Sequence, residues 1–147
     1  IPQTLRTVSL VEIHEVAVVG SALASLAREP VKLAQLADYP IISLGEQTGT
    51  YGFYTRFFAD HHLLFSPDIE AATADQILPM VRANLGIGFV PLLFLPGEEV
   101  GSTVFPIRLT EKIPPRKICL LRSQQHPQGP AARELERFLV QAAARGE

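Results

Sequence analysis

Tryptophan is absent from this sequence, and cysteine and methionine occur once each. The lone Cys119 excludes an intrachain disulfide and any cage built from several thiolates. Its setting, "KICLL", reads as a buried strand. The four histidines do not fall at metal-ligand spacing, and the adjacent pair His61-His62 sits at a helix end with its rings directed apart. Neither a metal nor a cofactor is expected. No apolar run approaches the roughly 18 residues that cross a bilayer, so no membrane partner is expected either. Positive charge is also short: 13 Lys+Arg against 15 Asp+Glu leaves a formal charge of -2, with no field to neutralise phosphates. The chain by itself is not expected to bind DNA or RNA. Catalytic signatures are missing as well. There is no Lys-Ser/Thr pair after a glycine loop, no Gly-x-Ser-x-Gly elbow, and Asp60 and His61 are sequence neighbours that do not face each other. The chain does not read as an enzyme.

What is present is a well-patterned 147-residue sequence with 47% apolar and 19% charged residues, the size of one domain or of one domain plus a remnant. It opens directly on strand-like residues, "IPQTLRTVSLVEIHEVAVVG", which suggests a fragment entering in mid-fold. Strands are expected at Leu5 to Leu10 and Glu12 to Val19, the second apolar on consecutive positions as in a strand buried on both faces. Gly20 ends it. A short helix follows, with Pro30 at its head, Leu33, Leu36 and Ala37 at helical spacing, and a stop before Pro40. Ile41 to Leu44 is a strand. Beyond a polar loop, Phe53, Phe57 and Phe58 form one apolar helix face with Tyr54 beside them. "DIEAAT" is a strand candidate, and Thr73-x-x-Gln76 has the form of a capping box for a helix running to Leu85. Pro79 conflicts with a start at Thr73, so a kink or a later start is expected. Gly86 is placed to end that helix. "IGFVP" is then a buried strand, Pro91 to Leu95 a helical turn, and Pro96 to Glu99 a turn. Thr103 to Leu109 and Arg116 to Ser123 are strands, and Pro130 to Arg145 is a helix with Leu135, Phe138, Leu139 and Ala142 on one face. The alternation gives an α/β fold with a mostly parallel sheet covered on both faces.

The stretch "SLGEQTGTYGF" lies after a strand and before a helix, where open α/β sheets hold ligands. Helix N-terminal N–H groups there carry partial positive charge, and Gln47, Thr48 and Thr50 add uncharged donors suited to a carboxylate or another small anion. The plainer reading is that Thr48 or Thr50 caps the helix while the glycines permit the turn. Gly86 and Gly88 read as a helix end followed by close backbone approach in a crowded core, and His14 and Glu15 as ordinary polar residues of an edge or connecting strand.

The order of a strand, "LADYPIISL", a polar loop, an aromatic helix, "TADQILPMVRANLGIGFVP", further strands and "PAARELERFL" resembles the C-terminal effector-binding region of LysR-type transcriptional regulators. That resemblance implies a type 2 periplasmic-binding-protein-like fold: two α/β subdomains with a small-molecule effector held in the cleft between them. It places an entering remnant of the first subdomain at residues 1–11, the second subdomain at 12–122, and a return strand and helix of the first at 123–147. It further implies effector contacts at Ser43, Gln47, Thr48, Gly49 and Thr50, a cytoplasmic protein, and self-association as dimer or tetramer. DNA is reached only through an N-terminal winged helix-turn-helix absent from this chain. The closing helix then lacks its usual partner. Leaving each of its large apolar side chains exposed costs about 1.5–3 kcal/mol relative to burial, so it is expected to pack on another copy, a neighbouring chain or pieces of a longer parent. A solute-binding protein of the same architecture is the rival reading, and an enzyme on that architecture the third.

Overall fold

The computed structural model describes residues 5–95, 103–125 and 127–145. The expected turn at Pro96 to Glu99 lies outside them. The chain divides into a larger compact unit, His14–Pro114, and a smaller one formed by the segments on either side.

In the larger unit five strands lie in the order β4-β3-β5-β2-β6: β2 (Glu15–Gly20), β3 (Ile41–Leu44), β4 (Ile69–Ala71), β5 (Ile87–Pro91) and β6 (Val104–Ile107). β3 runs parallel to β4 and β5, whereas β2 is antiparallel to β5 and β6. The sheet is therefore mixed, not mostly parallel. Alternation of helical and strand patterns reveals crossovers but not the direction in which β2 pairs with β5 and β6. β2 is also an interior strand, so Glu15 is no edge residue; its carboxylate accepts a hydrogen bond from the Tyr54 hydroxyl at 3.0 Å.

Both faces are buried, as the consecutive apolar positions require. Ala17, Val19, Ile41, Ile87 and Phe89 point to one side, where Tyr54, Phe57 and Phe58 of helix α1 (Gly49–Asp60) cover them together with Leu33 and Leu36. Val18, Ile42, Ala71 and Val90 point to the other, under Ile77 and Val81 of helix α2 (Ile77–Arg82). Full burial of each such side chain contributes about 1.5–3 kcal/mol.

Several local expectations are corrected. Ser21–Ala27, unassigned from sequence, forms a 3₁₀ helix, and the segment at Leu33–Asp38 is 3₁₀ as well; Pro30 does not head it, because Val31 is bridged to Leu109. Thr73 makes no side-chain cap bond. The Gln76 amide oxygen instead accepts from Ala72 N–H at 3.0 Å, a 3₁₀ turn spans Ala74–Gln76, and α2 starts at Ile77. Pro79 then falls in the first turn, where its missing N–H has no intrahelical acceptor to lose.

Nor does Gly86 end α2. Asn84 takes the left-handed position at φ 59°, and its Oδ1 accepts from Ala22 N–H at 2.8 Å. Asparagine tolerates that conformation and adds a tie that glycine lacks. Gly86 is needed for another reason: a Cβ there would lie 2.4 Å from the Pro40 carbonyl oxygen. Gly88 is the close-approach glycine of the core, since a Cβ would meet Ile77 and Val81 methyl groups at 2.6 and 2.8 Å.

In the smaller unit β1 (Leu5–Ile13) pairs antiparallel with β7 (Arg116–Ser123). β1 continues past the break expected at Val11 because a register shift between Ser9 and Val11 restores the pairing; the strand ends before His14. Cys119 is half-buried, not buried, because β7 has only β1 beside it. Helix α3 (Pro130–Arg145) lies against β1, and its Glu136 accepts from the Gln128 amide at 2.7 Å and pairs with Arg122 at 3.5 Å. Leu135 and Phe138 remain 57% and 64% exposed while Leu139 and Ala142 are half-buried, so the apolar stripe of this helix is only partly covered within the described chain.

Two interactions give measurable consequences. Asn84→Ala removes both the left-handed preference and the Ala22 tie, and should lower unfolding free energy by about 1–2 kcal/mol in urea titrations; Asn84→Gly should recover part of the loss. The second involves Glu111, whose carboxylate accepts from Leu33 N–H and from the Thr110 hydroxyl, each at 2.7 Å. Partial burial raises the pKa of this carboxyl, but the hydrogen bonds from Leu33, Thr110 and its own backbone N–H, with the His61 charge, outweigh it and hold the pKa below the ordinary 4.5. A depressed folded-state pKa contributes stability in full above 4.5 and loses it as pH falls through the folded value. Glu111→Gln keeps one acceptor oxygen and the site is largely solvated, so it should cost no more than about 1 kcal/mol near neutrality and flatten the acid limb of the stability curve, as followed by denaturation between pH 7 and pH 3.

Candidate functional site

β3 is four residues long and ends at the loop that feeds α1. Thr48 caps that helix: its backbone is extended, its hydroxyl donates to Gly45 carbonyl at 2.8 Å, and the same oxygen accepts from Tyr51 N–H at 3.1 Å. Thr48 N–H also reaches Gly45 carbonyl, at 3.0 Å, closing a tight turn. The capping reading of the sequence thus holds at Thr48. The helix is pinned from behind, with Tyr51 edge-on to Phe65 at 5.4 Å and Tyr54 stacked between Phe65 and Phe89 at 5.8 and 4.6 Å.

A cavity of about 400 Å³ opens beside this turn, lined by Gly45, Glu46, Gln47 and Thr48 and, across from them, by Glu70, Ala71 and Ala72. It lies at the carboxyl ends of the parallel strands β3 and β4, the position at which such sheets accept ligands. Of the residues singled out in the sequence, Gln47 and Thr48 line it. Gly49 and Thr50 occupy the first turn of α1 and are not among the lining residues.

Ser43 is placed differently again. It is 4% exposed, and its Oγ has no hydrogen-bond partner among the described residues. Strand alternation sends it to the α1 side, since Ile41 packs there while Ile42 packs on the α2 side. A buried hydroxyl left unmatched costs about 1–3 kcal/mol.

Glu46 and Glu70 were not found from sequence. Glu70 is the register partner of Ser43, and its carboxylate lies against the Gly45 backbone, where a Cβ would come within 2.5 Å of Oε1. The Tyr51 hydroxyl donates to Glu46 over a long 3.5 Å. The signal for Glu70 was available in "IEA", a charged residue between two inward apolar ones, but only strand order says which loop it faces.

A wider hollow, about 820 Å³, lies in the smaller unit between Arg6, Arg122, Arg133 and several glutamines. Arg122 is already held there by Glu136 and Gln128, and no unmatched buried group accompanies it among the described residues. No cluster of three His, Cys, Asp or Glu able to hold a metal occurs among the described residues, and none of their helices is long and apolar enough to cross a membrane.

The architecture matches known regulators. The chain superposes with TM-score 0.84 on the regulatory domain of CcmR from Synechocystis PCC6803, solved in complex with 2-PG, at 14% identity over 97% of this chain and 69% of that one. It matches the effector binding domain of QuiR in complex with shikimate with TM-score 0.80, at 18% identity over 97% of this chain and 66% of that one. In sequence it is 35% identical over 97 residues to the HTH-type transcriptional regulator CysB of Burkholderia cenocepacia, which is 64% of this chain and 30% of that protein. The chain thus spans under a third of the length of that relative. The family model of the LysR substrate binding domain matches residues 2–144, and the chain belongs to that family.

Proposed function

We propose that this chain is the ligand-sensing part of a LysR-type transcriptional regulator in the cytoplasm, a sensor and not an enzyme. The larger unit serves as its second effector-binding subdomain, and β7 with α3 as the returning strand and helix of the first. Ser43 and the loop to Thr50 form one wall of the effector site. Effector binding favours one geometry of the regulator over another, and this difference in affinity shifts the spacing of DNA-binding heads in a dimer or tetramer. Those heads, an N-terminal winged helix-turn-helix, lie outside this chain. The uncovered Leu135 and Phe138 stripe supports packing against further chain or another copy.

The observation that carries the site is the cavity at the carboxyl ends of β3 and β4, beside the head of a capped helix, with the Ser43 hydroxyl buried and unmatched among the described residues on the same strand. A protein core keeps such a group at a cost to stability, which a ligand can offset by accepting or donating the missing bond. Thr48 cannot act as a nucleophile without giving up its cap, and this favours binding over catalysis. The solved relatives with 2-PG and shikimate support a small molecule as effector.

The test is a thermal-shift screen of small polar metabolites repeated on Ser43→Ala. The variant should be at least as stable as the wild type, because it loses an unmatched hydroxyl, while the shift produced by a bound compound should fall by half or more. A compound that stabilises both proteins equally would remove Ser43 and its loop from the site.

A further inference from the structure

The ladder of the smaller unit sets two like charges against each other. Arg6 of β1 and Arg122 of β7 are register partners in an antiparallel pair, so both guanidinium groups leave the two-stranded sheet on the same face. Like charges directly opposite are destabilising, and two strands alone are only marginally stable. A third arginine, Arg133 early in α3, lines the same 820 Å³ hollow, with Gln124, Gln125 and Gln128 around them.

One carboxylate answers these three cations. Glu136 accepts from Gln128 and pairs with Arg122 at 3.5 Å; that hydrogen bond first, then the charges of Arg122 and Arg6, outweigh its desolvation and hold its pKa below the ordinary 4.5. Arg137, on the same helix, is taken by Glu134. Among the described residues Arg6 and Arg133 enter no ion pair, which leaves the hollow with two positive charges in surplus. The surplus is local to this unit. It holds seven Lys+Arg and four Asp+Glu against six and eleven in the larger unit, so a chain of formal charge -2 divides into +3 and -5. An anion is drawn to the smaller unit more than to the larger.

We infer that the smaller unit holds a binding site of its own for a doubly charged oxyanion, a phosphate or sulfate group free or on a small metabolite, between Arg6, Arg122 and Arg133. The inference does not rest on the effector-site reading above. A dianion matches the two surplus charges, relieves the repulsion across the ladder and presents the paired oxygens that guanidinium forks bind best. A monocarboxylate would leave one charge unmatched. Solvation accounts for one arginine directed at water, but not for two placed opposite each other and lining one hollow with a third.

The experiment titrates phosphate, sulfate and acetate into this protein at constant ionic strength, made up with chloride, and follows the backbone amide resonances of residues 121–125 and 128–136. Phosphate and sulfate should give saturable shifts confined to those residues, and acetate should bind about tenfold more weakly or worse. Arg6→Gln and Arg133→Gln, both exposed, should each weaken phosphate by about fivefold or more, whereas Lys112→Gln, an exposed cation of the larger unit, should leave it unchanged. A glycerol phosphate in place of phosphate separates the two sources: tighter binding assigns the oxyanion to a metabolite, weaker binding to the free ion. Shifts that do not saturate by about 0.1 M, acetate binding equal to that of phosphate, or binding that survives both arginine variants would overturn the inference. So would an equal loss in Lys112→Gln, which marks a diffuse ion atmosphere. A short DNA duplex that moves these resonances when phosphate does not would give the arginines to a nucleic-acid backbone and likewise remove the site.

Discussion

The position of α1 on its sheet governs the rest of the larger unit. Tyr54, Phe57 and Phe58 are each no more than 2% exposed, and they pack on Ile41 of β3 and on Ile87 and Phe89 of β5. With about 1.5–3 kcal/mol from each large side chain, a slide or rotation of the helix would forfeit more than any loop contact could return. Because the aromatic face sets the helix, the helix sets its own N-terminus, and Thr48 then has one geometry in which it can cap. The turn at Gly45 to Thr48 is therefore a consequence of core packing, held by rings six to ten residues beyond Thr48.

Much of this could be read from the sequence, and the parts that could not share a cause. β3, β5, α1 and α3 follow from hydrophobic period and punctuation, which act within a few residues. What failed depended on distant partners. Asn84 ends α2 because Ala22, 62 residues away, supplies a donor, whereas a local rule chooses the next glycine. Gly86 is fixed by Pro40, a contact no period reveals. The direction of β2 and β6 depends on pairing, so a mixed sheet and a parallel one look alike in a one-dimensional pattern. Of the 3₁₀ segments, Leu92–Phe94 matches the helical turn read there, Leu33–Asp38 was read only as a short helix, and Ser21–Ala27 was missed, because apolar spacing is compatible with both helix types and the choice is made by what they cover.

The site divides along the same line. Gln47 and Thr48 were legible because strand, loop and helix start are consecutive in the chain. Ser43 was legible as a position but not in its condition, since burial without a partner is a property of the packed sheet. Glu70 was legible as a charged strand position but not as a neighbour of this loop, which it reaches across a parallel pairing, 25 residues beyond Gly45 in the sequence.

This partition bears on why the loop is made of small and uncharged residues. A helix N-terminus already offers donors, so a lysine or arginine here would fix the charge of the ligand strongly and leave little for the opposite strand to discriminate. Thr48 spends its hydroxyl on the cap, so Gln47 is the uncharged side chain the loop offers to the cavity, and among the described residues the charged side chains lining it are Glu46 and Glu70. On the proposed reading, residues of the edge strand β4 can change without moving the loop, because the cap at Thr48 and the buried rings that hold it belong to α1.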